Sequence, residues 1–329
     1  MRDITKLAAE QHLEYLPISL FGSVMGLTGL SVAWHLAQAR YGTPEWITEV
    51  IGAIAVIAFM AVSLGYAVKL VTAPEAVQAE FNHPIAGNLF GTFLISLLLL
   101  PIVVAPVSLL LAQMIWSIGT LGMLIFAWII VSRWMSERQQ VAHATPAWII
   151  PVVGLSDLPL AVPSLNLPPM LHEVMVFGLA VGLFFAVPLF TLIFSRLVFE
   201  PPIPDALQPT LMILVAPFAV GASSYVVTVG QFDLFAQSLY MMTLFILAVL
   251  VGRLRYLSVC CPFRVSWWAV SFPLAASAIV ALRYATAERS LFADAIAWLL
   301  LAFATLIILA LLVRTLVGVA RGELRTLSS

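Results

Sequence analysis

The chain has 329 residues, of which 62% are hydrophobic and 9% charged, and its mean hydropathy is +1.08. A soluble domain carries about 25% charged residues, so this composition excludes a water-soluble globule, and its high hydrophobicity excludes a disordered chain. Fifteen basic and 16 acidic residues give a net charge of −1 without a basic block, which argues against nucleic acid as a partner.

Long apolar runs follow one another along the whole chain. A helix needs about 20 mostly apolar residues to cross a bilayer, and the runs are continuous rather than alternating, which favours helices over barrel strands. The sequence therefore predicts an all-α polytopic membrane protein with ten spans, forming a single transmembrane domain over residues 1–329 and contacting the lipid bilayer. The predicted spans lie near 17–36, 47–70, 88–110, 113–133, 147–163, 173–197, 209–229, 234–252, 267–285 and 293–313.

The basic residues divide unequally between the two sides that ten spans would define. Three lie on one side, namely Arg40, Arg283 and Arg289. The other side holds twelve: Arg2, Lys6, Lys69, Arg133, Arg138, Arg196, Arg253, Arg255, Arg264, Arg314, Arg321 and Arg325. Since cytoplasmic loops are enriched in Lys and Arg, this division predicts a multi-pass protein of the cell's inner (plasma) membrane with both termini cytoplasmic.

Prolines within the apolar runs favour odd-numbered spans. The odd spans contain Pro17, Pro101, Pro151, Pro159, Pro217 and Pro273, whereas Pro188 alone lies well inside an even span. A proline inside a helix frees a backbone carbonyl and bends the helix, and in a membrane such groups need cover from protein or water. The pattern predicts five helical hairpins, each with one kinked helix facing the interior, although a chance distribution is the alternative. Glycines support this for the first span through Gly22, Gly26 and Gly29.

Charged residues are scarce inside the runs. Those near span ends, including Lys69 and Arg283, are expected to extend to the membrane interface. Asp157 alone lies well inside a run, and it has two interpretations. Because intramembrane carboxylates often mark ion or proton pathways, it could couple protons or charge a pore vestibule. The Ser156–Asp157–Pro159 break equally suggests a helix cap.

Sequence signatures of enzymes are missing. The chain has no HExxH zinc motif, no GxSxG nucleophile motif and no P-loop, so we predict neither an enzyme nor a metal or cofactor site. The adjacent cysteines, Cys260 and Cys261, are expected to remain free thiols. A neutral interior fits a passive pathway, in which backbone amides and helix dipoles would attract anions that lose water easily.

Four segments carry a family resemblance: SLFGSVMGLTGLSVAW in the first span, EFNHPIAGNLFGTFLISLLLL leading into the third, PTLMILVAPFAVGASSYV in the seventh and SWWAVSFPLAASAIVALRY in the ninth. With these, the chain resembles the tellurite-resistance/dicarboxylate transporter family, which includes bacterial TehA, the yeast malate permease and the plant guard-cell slow-type anion channel. The resemblance covers essentially the whole chain.

The resemblance implies a fold and a site. The fold would be five hairpins with quasi-fivefold symmetry around a central pore, in protomers that form a homotrimer. Phe272 would gate the pore, next to Pro273, and Gly22 would keep the pore wall thin. Together with the proline pattern, the expected pore-lining or kink positions are Gly22, Pro101, Pro151, Pro217 and Pro273.

Two functions follow from the resemblance. The first is an anion channel that passes small monovalent anions such as chloride and nitrate by electrodiffusion, with malate as a further candidate. The alternative is a secondary transporter of C4-dicarboxylates or tellurite-type oxyanions, proton-coupled through Asp157.

Overall fold

A computed structural model describes residues 13–260 and 263–328, without the side chains of 253–260. Arg2, Lys6 and Cys261 therefore lie outside the described residues, as does the side chain of Cys260. The described residues are helical and contain no strand. Ten helices are long and apolar enough to cross a membrane, which confirms the predicted fold class. These spans, numbered 1 to 10, are Ile18–Tyr41, Glu45–Thr72, Ala86–Val104, Leu109–Ser136, Pro146–Ser164, Pro169–Phe199, Asp205–Val229, Leu234–Gly252, Val265–Glu288 and Leu291–Ala320.

The spans form five hairpins. Their short turns lie on one side of the molecule, which we call the second face, at residues 42–44, 105–108, 165–168, 230–233 and 289–290. The other connections, described at 73–85, 137–145, 200–204 and 263–264, lie on the opposite first face, together with residues 13–17 and the C-terminal helix Leu324–Ser328. The turn between spans 3 and 4 lies at 105–108 rather than near 110–112, where the sequence pattern suggested it. Pro106 lies in this turn, and the Ser108 hydroxyl caps span 4 by accepting a hydrogen bond from the Leu111 amide at 3.3 Å.

Odd and even spans occupy different layers. The most apolar stretch of each odd span is 61–83% buried, against 22–39% for each even span. Each odd span packs against the next, and span 9 closes the ring by packing against span 1. The prediction that odd spans face the interior is therefore confirmed, and the closed ring of five fits quasi-fivefold symmetry. The even spans present large apolar side chains outward, as a lipid-facing layer would, among them Ile57, Leu121, Phe184, Phe245 and Leu299.

Each inner span begins with a 3₁₀ segment at the first face. In span 1 the 3₁₀ segment is Ile18–Phe21 and the α-helix is Gly22–Tyr41, and in span 9 they are Val265–Val270 and Ser271–Glu288. Span 5 is mostly 3₁₀, since its α segment is only Ile150–Val153. The inner ring is therefore built from five copies of a similar local conformation.

The sequence suggested kinks at these prolines, but most of them lie at or near the start of an α segment. Pro151 and Pro217 lie at the start of α segments, and Pro273 is the third residue of another. These are first-turn positions, where the missing amide hydrogen costs little and the fixed φ of proline favours the helix. Of the four predicted prolines in α segments, only Pro101 lies well inside its helix, four residues before the C-cap. The other three lie where inner helices change from 3₁₀ to α.

Candidate pore

A cavity of about 300 Å³ lies inside the ring of odd spans on the first-face side, and all five inner spans line it. Its wall is mainly apolar, with Met25, Ile95, Val153 and Ile213 among the lining side chains. The hydroxyls of two lining threonines donate to nearby carbonyls, Thr92 to Leu89 and Thr210 to Leu207, each at 2.6 Å. Apart from Asp157 and Arg264, which also line this cavity, a pathway here would present little polarity to an ion. Leu327 and Ser328 of the C-terminal helix also line this cavity.

A second cavity, of about 20 Å³, is lined by later residues of the same five spans. Gly29 and Val32 line it from span 1, and Leu99 and Ile102 from span 3. These residues lie closer to the second face than Met25 and Ile95, which line the first cavity. The two cavities therefore lie one behind the other along the inside of the ring.

Phe272 and Val220 line both cavities. The Phe272 side chain is 7% exposed and lies at the point where the two cavities are separated. A Cβ atom at Gly29 would come within 3.4 Å of Cδ2 and 3.7 Å of Cε2 of the Phe272 ring. The ring therefore packs against a position on span 1 that has no side chain.

Asp157 lines the first cavity and is the last residue of span 5 to do so, as Met25 is of span 1 and Ile95 of span 3. It is 2% exposed, and its Oδ1 atom has no hydrogen-bond partner among the described residues. No side chain caps this 3₁₀ segment, whose N-cap residue is Val153. The helix-cap interpretation therefore finds no support in the hydrogen bonds, and an uncompensated polar group faces the cavity.

Comparison with known families decides the identity of this fold. The model of the SLAC1 family, described as a voltage-dependent anion channel, matches residues 15–316. The chain belongs to the SLAC1 family. The resemblance drawn from the four segments is thereby confirmed.

Relatives of this SLAC1-family chain come from plants, archaea and bacteria. The S-type anion channel SLAH3 of Arabidopsis thaliana is 30% identical over 309 residues, which cover 92% of this chain and 48% of the plant protein. The uncharacterized transporter MJ0762 of Methanocaldococcus jannaschii is 26% identical over 288 residues, 80% of this chain and 83% of its own length. The tellurite resistance protein TehA homolog of Haemophilus influenzae is 28% identical over 140 residues, 42% and 43% of the two chains. The chain thus spans about half the length of the plant relative.

Within this SLAC1-family fold, Gly22 lines the first cavity, but its missing side chain is not the tightest approach in span 1. A Cβ at Gly22 would meet Trp268 at 3.5 Å or more, which is ordinary contact. At Gly26 a Cβ would overlap the side chain of Ser271, and at Gly29 it would lie 2.9 Å from the Cβ of Ala275. The close approach of spans 1 and 9 therefore depends on Gly26 and Gly29. The spacing of these glycines was visible in the sequence, but their partner in span 9 was not.

The predicted prolines divide between two positions. Pro273 lines the first cavity beside Phe272, as Pro17 does from span 1. Among the described residues, Pro101, Pro151 and Pro217 line neither cavity. Their contribution is to the shape of the inner spans rather than to the pore surface.

Lys69 differs from the expectation that it extends to the membrane interface. Lys69 is 3% exposed; its Nζ donates to Glu80 Oε2 and to the Leu16 carbonyl, each at 2.7 Å. Arg283, near the end of span 9, is partly exposed and also lines the second cavity. Within the described ranges, no group of three or more His, Cys, Asp or Glu residues could hold a metal ion.

Proposed function

We propose that this chain is an anion channel whose pathway runs through the two cavities inside the ring of odd spans. The observation that carries the proposal is that five helices enclose both cavities and that one aromatic ring separates them. Plant relatives in the same family are named S-type anion channels. The mainly apolar wall would compensate poorly for the hydration shell that an anion loses. We therefore expect chloride and nitrate to pass more readily than strongly hydrated anions.

Phe272 is the proposed gate. A hydrophobic constriction blocks ions because it cannot replace their hydration water, and an aromatic ring at the junction of the two cavities meets that requirement. Rotation of the ring away from Gly29 would join the cavities. Pro273 would act beside it by shaping the start of the α segment in span 9.

The gate is tested by the Phe272→Ala variant in planar bilayers. We expect the chloride current per protein to rise tenfold or more, which corresponds to a barrier lowered by about 1.4 kcal/mol. Phe245→Ala is the matched control, because Phe245 is 63% exposed on the lipid-facing layer. An unchanged current in folded Phe272→Ala protein would remove the gate from the proposal.

A second function, proton-coupled transport of C4-dicarboxylates or oxyanions, is favoured by one observation. The Asp157 carboxyl group is buried, faces the first cavity and has an unpartnered Oδ1 among the described residues. In the coupled mechanism this group would take up a proton together with the substrate.

Proteoliposomes distinguish the two functions. In a channel, the Asp157→Asn variant should conduct chloride with little dependence on pH, because Asp157 would only add charge to the vestibule. In a coupled transporter, the same variant should lose malate uptake and its pH dependence together. Measurement of uptake at pH 5.5 and 7.5, with and without an imposed proton gradient, separates these outcomes.

The orientation and assembly of the chain are also proposals. The excess of basic residues on the first face supports a cytoplasmic location for that face and an inner-membrane location for the protein. The apolar outer faces of the even spans would then contact lipid and, in a homotrimer, the neighbouring protomers.

A further inference from the structure

Two of the side chains that line the second cavity have polar atoms without a hydrogen-bond partner among the described residues. Ser223 contributes a hydroxyl from span 7, and Arg283 contributes a guanidinium from span 9. The rest of the wall is formed by glycine, alanine and hydrocarbon side chains: Gly29, Val32, Leu99, Ile102, Leu160, Val220, Phe272, Ala276 and Ile279. A polar pair in such a wall lies close to the gate and on its second-face side.

Neither group finds a partner in the part of the chain that the structure describes. Ser223 is 2% exposed and its Oγ has no hydrogen-bond partner, and the buried Nε of Arg283 has none either. The ion pairs among the described residues join Arg40 to Asp294, Lys69 to Glu80 and Arg314 to Glu323. Arg283 is therefore a cation at the edge of a narrow apolar space without a carboxylate to neutralise it.

This arrangement is energetically unfavourable unless something fills it. A buried donor without an acceptor loses its hydration and gains no hydrogen bond in exchange, and a partly buried guanidinium without a counter-charge adds to this cost. A water molecule could satisfy the serine, but it would leave the positive charge uncompensated. A bound anion would satisfy both, since it accepts hydrogen bonds from the hydroxyl and from the guanidinium.

The size of the cavity limits the ligand. A volume of about 20 Å³ exceeds the roughly 10–15 Å³ that holds one water molecule. One small anion, or one oxygen of a planar oxyanion, therefore fits, whereas a dicarboxylate does not.

We propose that Arg283 and Ser223 form a binding site for one small monovalent anion, such as chloride or nitrate, in the second cavity, on the second-face side of Phe272. The inference rests on the proposed channel function and deepens it. The site holds an anion on the second-face side of the closed gate, excludes cations from the second-face entrance, and gives conduction a saturable step. It also places a positive charge on the second-face side of the gate.

The test uses recordings in the Phe272→Ala background, where the gate does not limit the current. Adding Arg283→Gln should raise the half-saturating chloride concentration about tenfold or more, which corresponds to the loss of one charge-assisted hydrogen bond. It should also shift the reversal potential toward weaker selection of chloride over potassium. Ser223→Ala should raise the half-saturating concentration without changing the charge selectivity. Arg283→Lys should retain the charge selectivity, because the positive charge remains.

Arg289→Gln is the matched control, since Arg289 is exposed at the second face and lines neither cavity. It should leave the half-saturating concentration and the selectivity unchanged. If Arg283→Gln behaves like Arg289→Gln while Phe272→Ala still conducts chloride, the site is wrong and the channel proposal stands. If Phe272→Ala conducts no anion at all, the channel proposal itself fails.

A binding measurement does not depend on conduction. Purified protein should gain thermal stability when chloride replaces gluconate at constant ionic strength, because a ligand that binds only the folded state raises Tm. Arg283→Gln should abolish this gain and Arg289→Gln should preserve it. An equal gain in all three proteins, or a gain in none, would mean that the cavity holds water only and would overturn the site.

Discussion

At the scale of single residues, the contact between Phe272 and Gly29 is the most informative in the pore. The ring can lie at the junction of the two cavities because span 1 offers no side chain there. The proposed gating residue and the glycine it packs against therefore come from distant parts of the chain. A change at Gly29 should act on the ring without altering the ring itself.

Gly29→Ala is expected to destabilise the protein and to disturb the gate. The new Cβ would lie 2.9 Å from the Cβ of Ala275 and 3.4 Å from Cδ2 of Phe272, so one of them must move. Overpacking of this kind typically costs about 1–3 kcal/mol. Displacement of the ring should change the basal chloride current, which recordings and thermal unfolding in detergent can follow together.

Gly252→Ala is the matched control, because a Cβ at that position would meet nothing within 4 Å. It should be neutral or stabilise by up to about 1 kcal/mol, as expected from helix propensity. If Gly29→Ala matched this control in both stability and current, the close packing of ring and glycine would be refuted.

At the scale of elements, the start of span 1 is held by a loop on the first face. The short helix Pro74–Asn82 carries Glu80, whose Oε1 accepts a hydrogen bond from the Ile18 amide at 2.8 Å. Its Oε2 accepts from the Tyr66 hydroxyl at 3.0 Å and from Lys69 at 2.7 Å. One carboxylate therefore caps the first pore helix and ties it to span 2.

Glu80→Gln should lower the free energy of unfolding by about 3–5 kcal/mol, because it leaves the buried Lys69 without a counter-charge. The amide can still accept from Ile18, so the loss reports the charge and not the cap. Glu75→Gln, on the exposed side of the same short helix, should change stability little. The double variant Lys69→Met/Glu80→Gln should recover part of the loss, and a further loss would contradict the ion-pair explanation.

Several turns of the second face contain a residue in the left-handed backbone conformation. Gly42 and Gly230 end spans 1 and 7 with φ of 72° and 85°, and Asn166 and Arg289 adopt φ of 46° and 51° in two other turns. Glycine and asparagine are common in such left-handed helix ends. These residues end the inner helices sharply and allow the adjacent even spans to pack back against them.

At the scale of the whole molecule, an inner ring built from segments of similar conformation encloses the pathway, and the outer ring separates it from lipid. The proposed orientation predicts which face a membrane-impermeant reagent can reach. In a background with Cys260 and Cys261 replaced by serine, Gln231→Cys on the second face should react with an impermeant maleimide in intact cells. Gln140→Cys on the first face should react only after the membrane is opened. The reverse pattern would invert the orientation.

The sequence by itself determined the number of spans, their approximate limits and which of them lie inside. These depend on properties that add up along a segment: the hydrophobicity needed to cross a bilayer and the prolines, which are rare in the lipid-facing spans. The hydropathy pattern did not locate the turn at 105–108, because the apolar residues run through it and only Pro106 and Ser108 mark it.

Only the tertiary structure decided which side chains meet. Gly29 under the Phe272 ring, Ser223 with Arg283 in one cavity, and Lys69 buried against Glu80 join residues from different helices. Such meetings depend on how each helix is rotated about its axis and shifted along it, which packing against its neighbours sets. Hydropathy has the same value for every rotation of an inner helix, so it cannot distinguish a charge that extends to the interface from one that faces the pore.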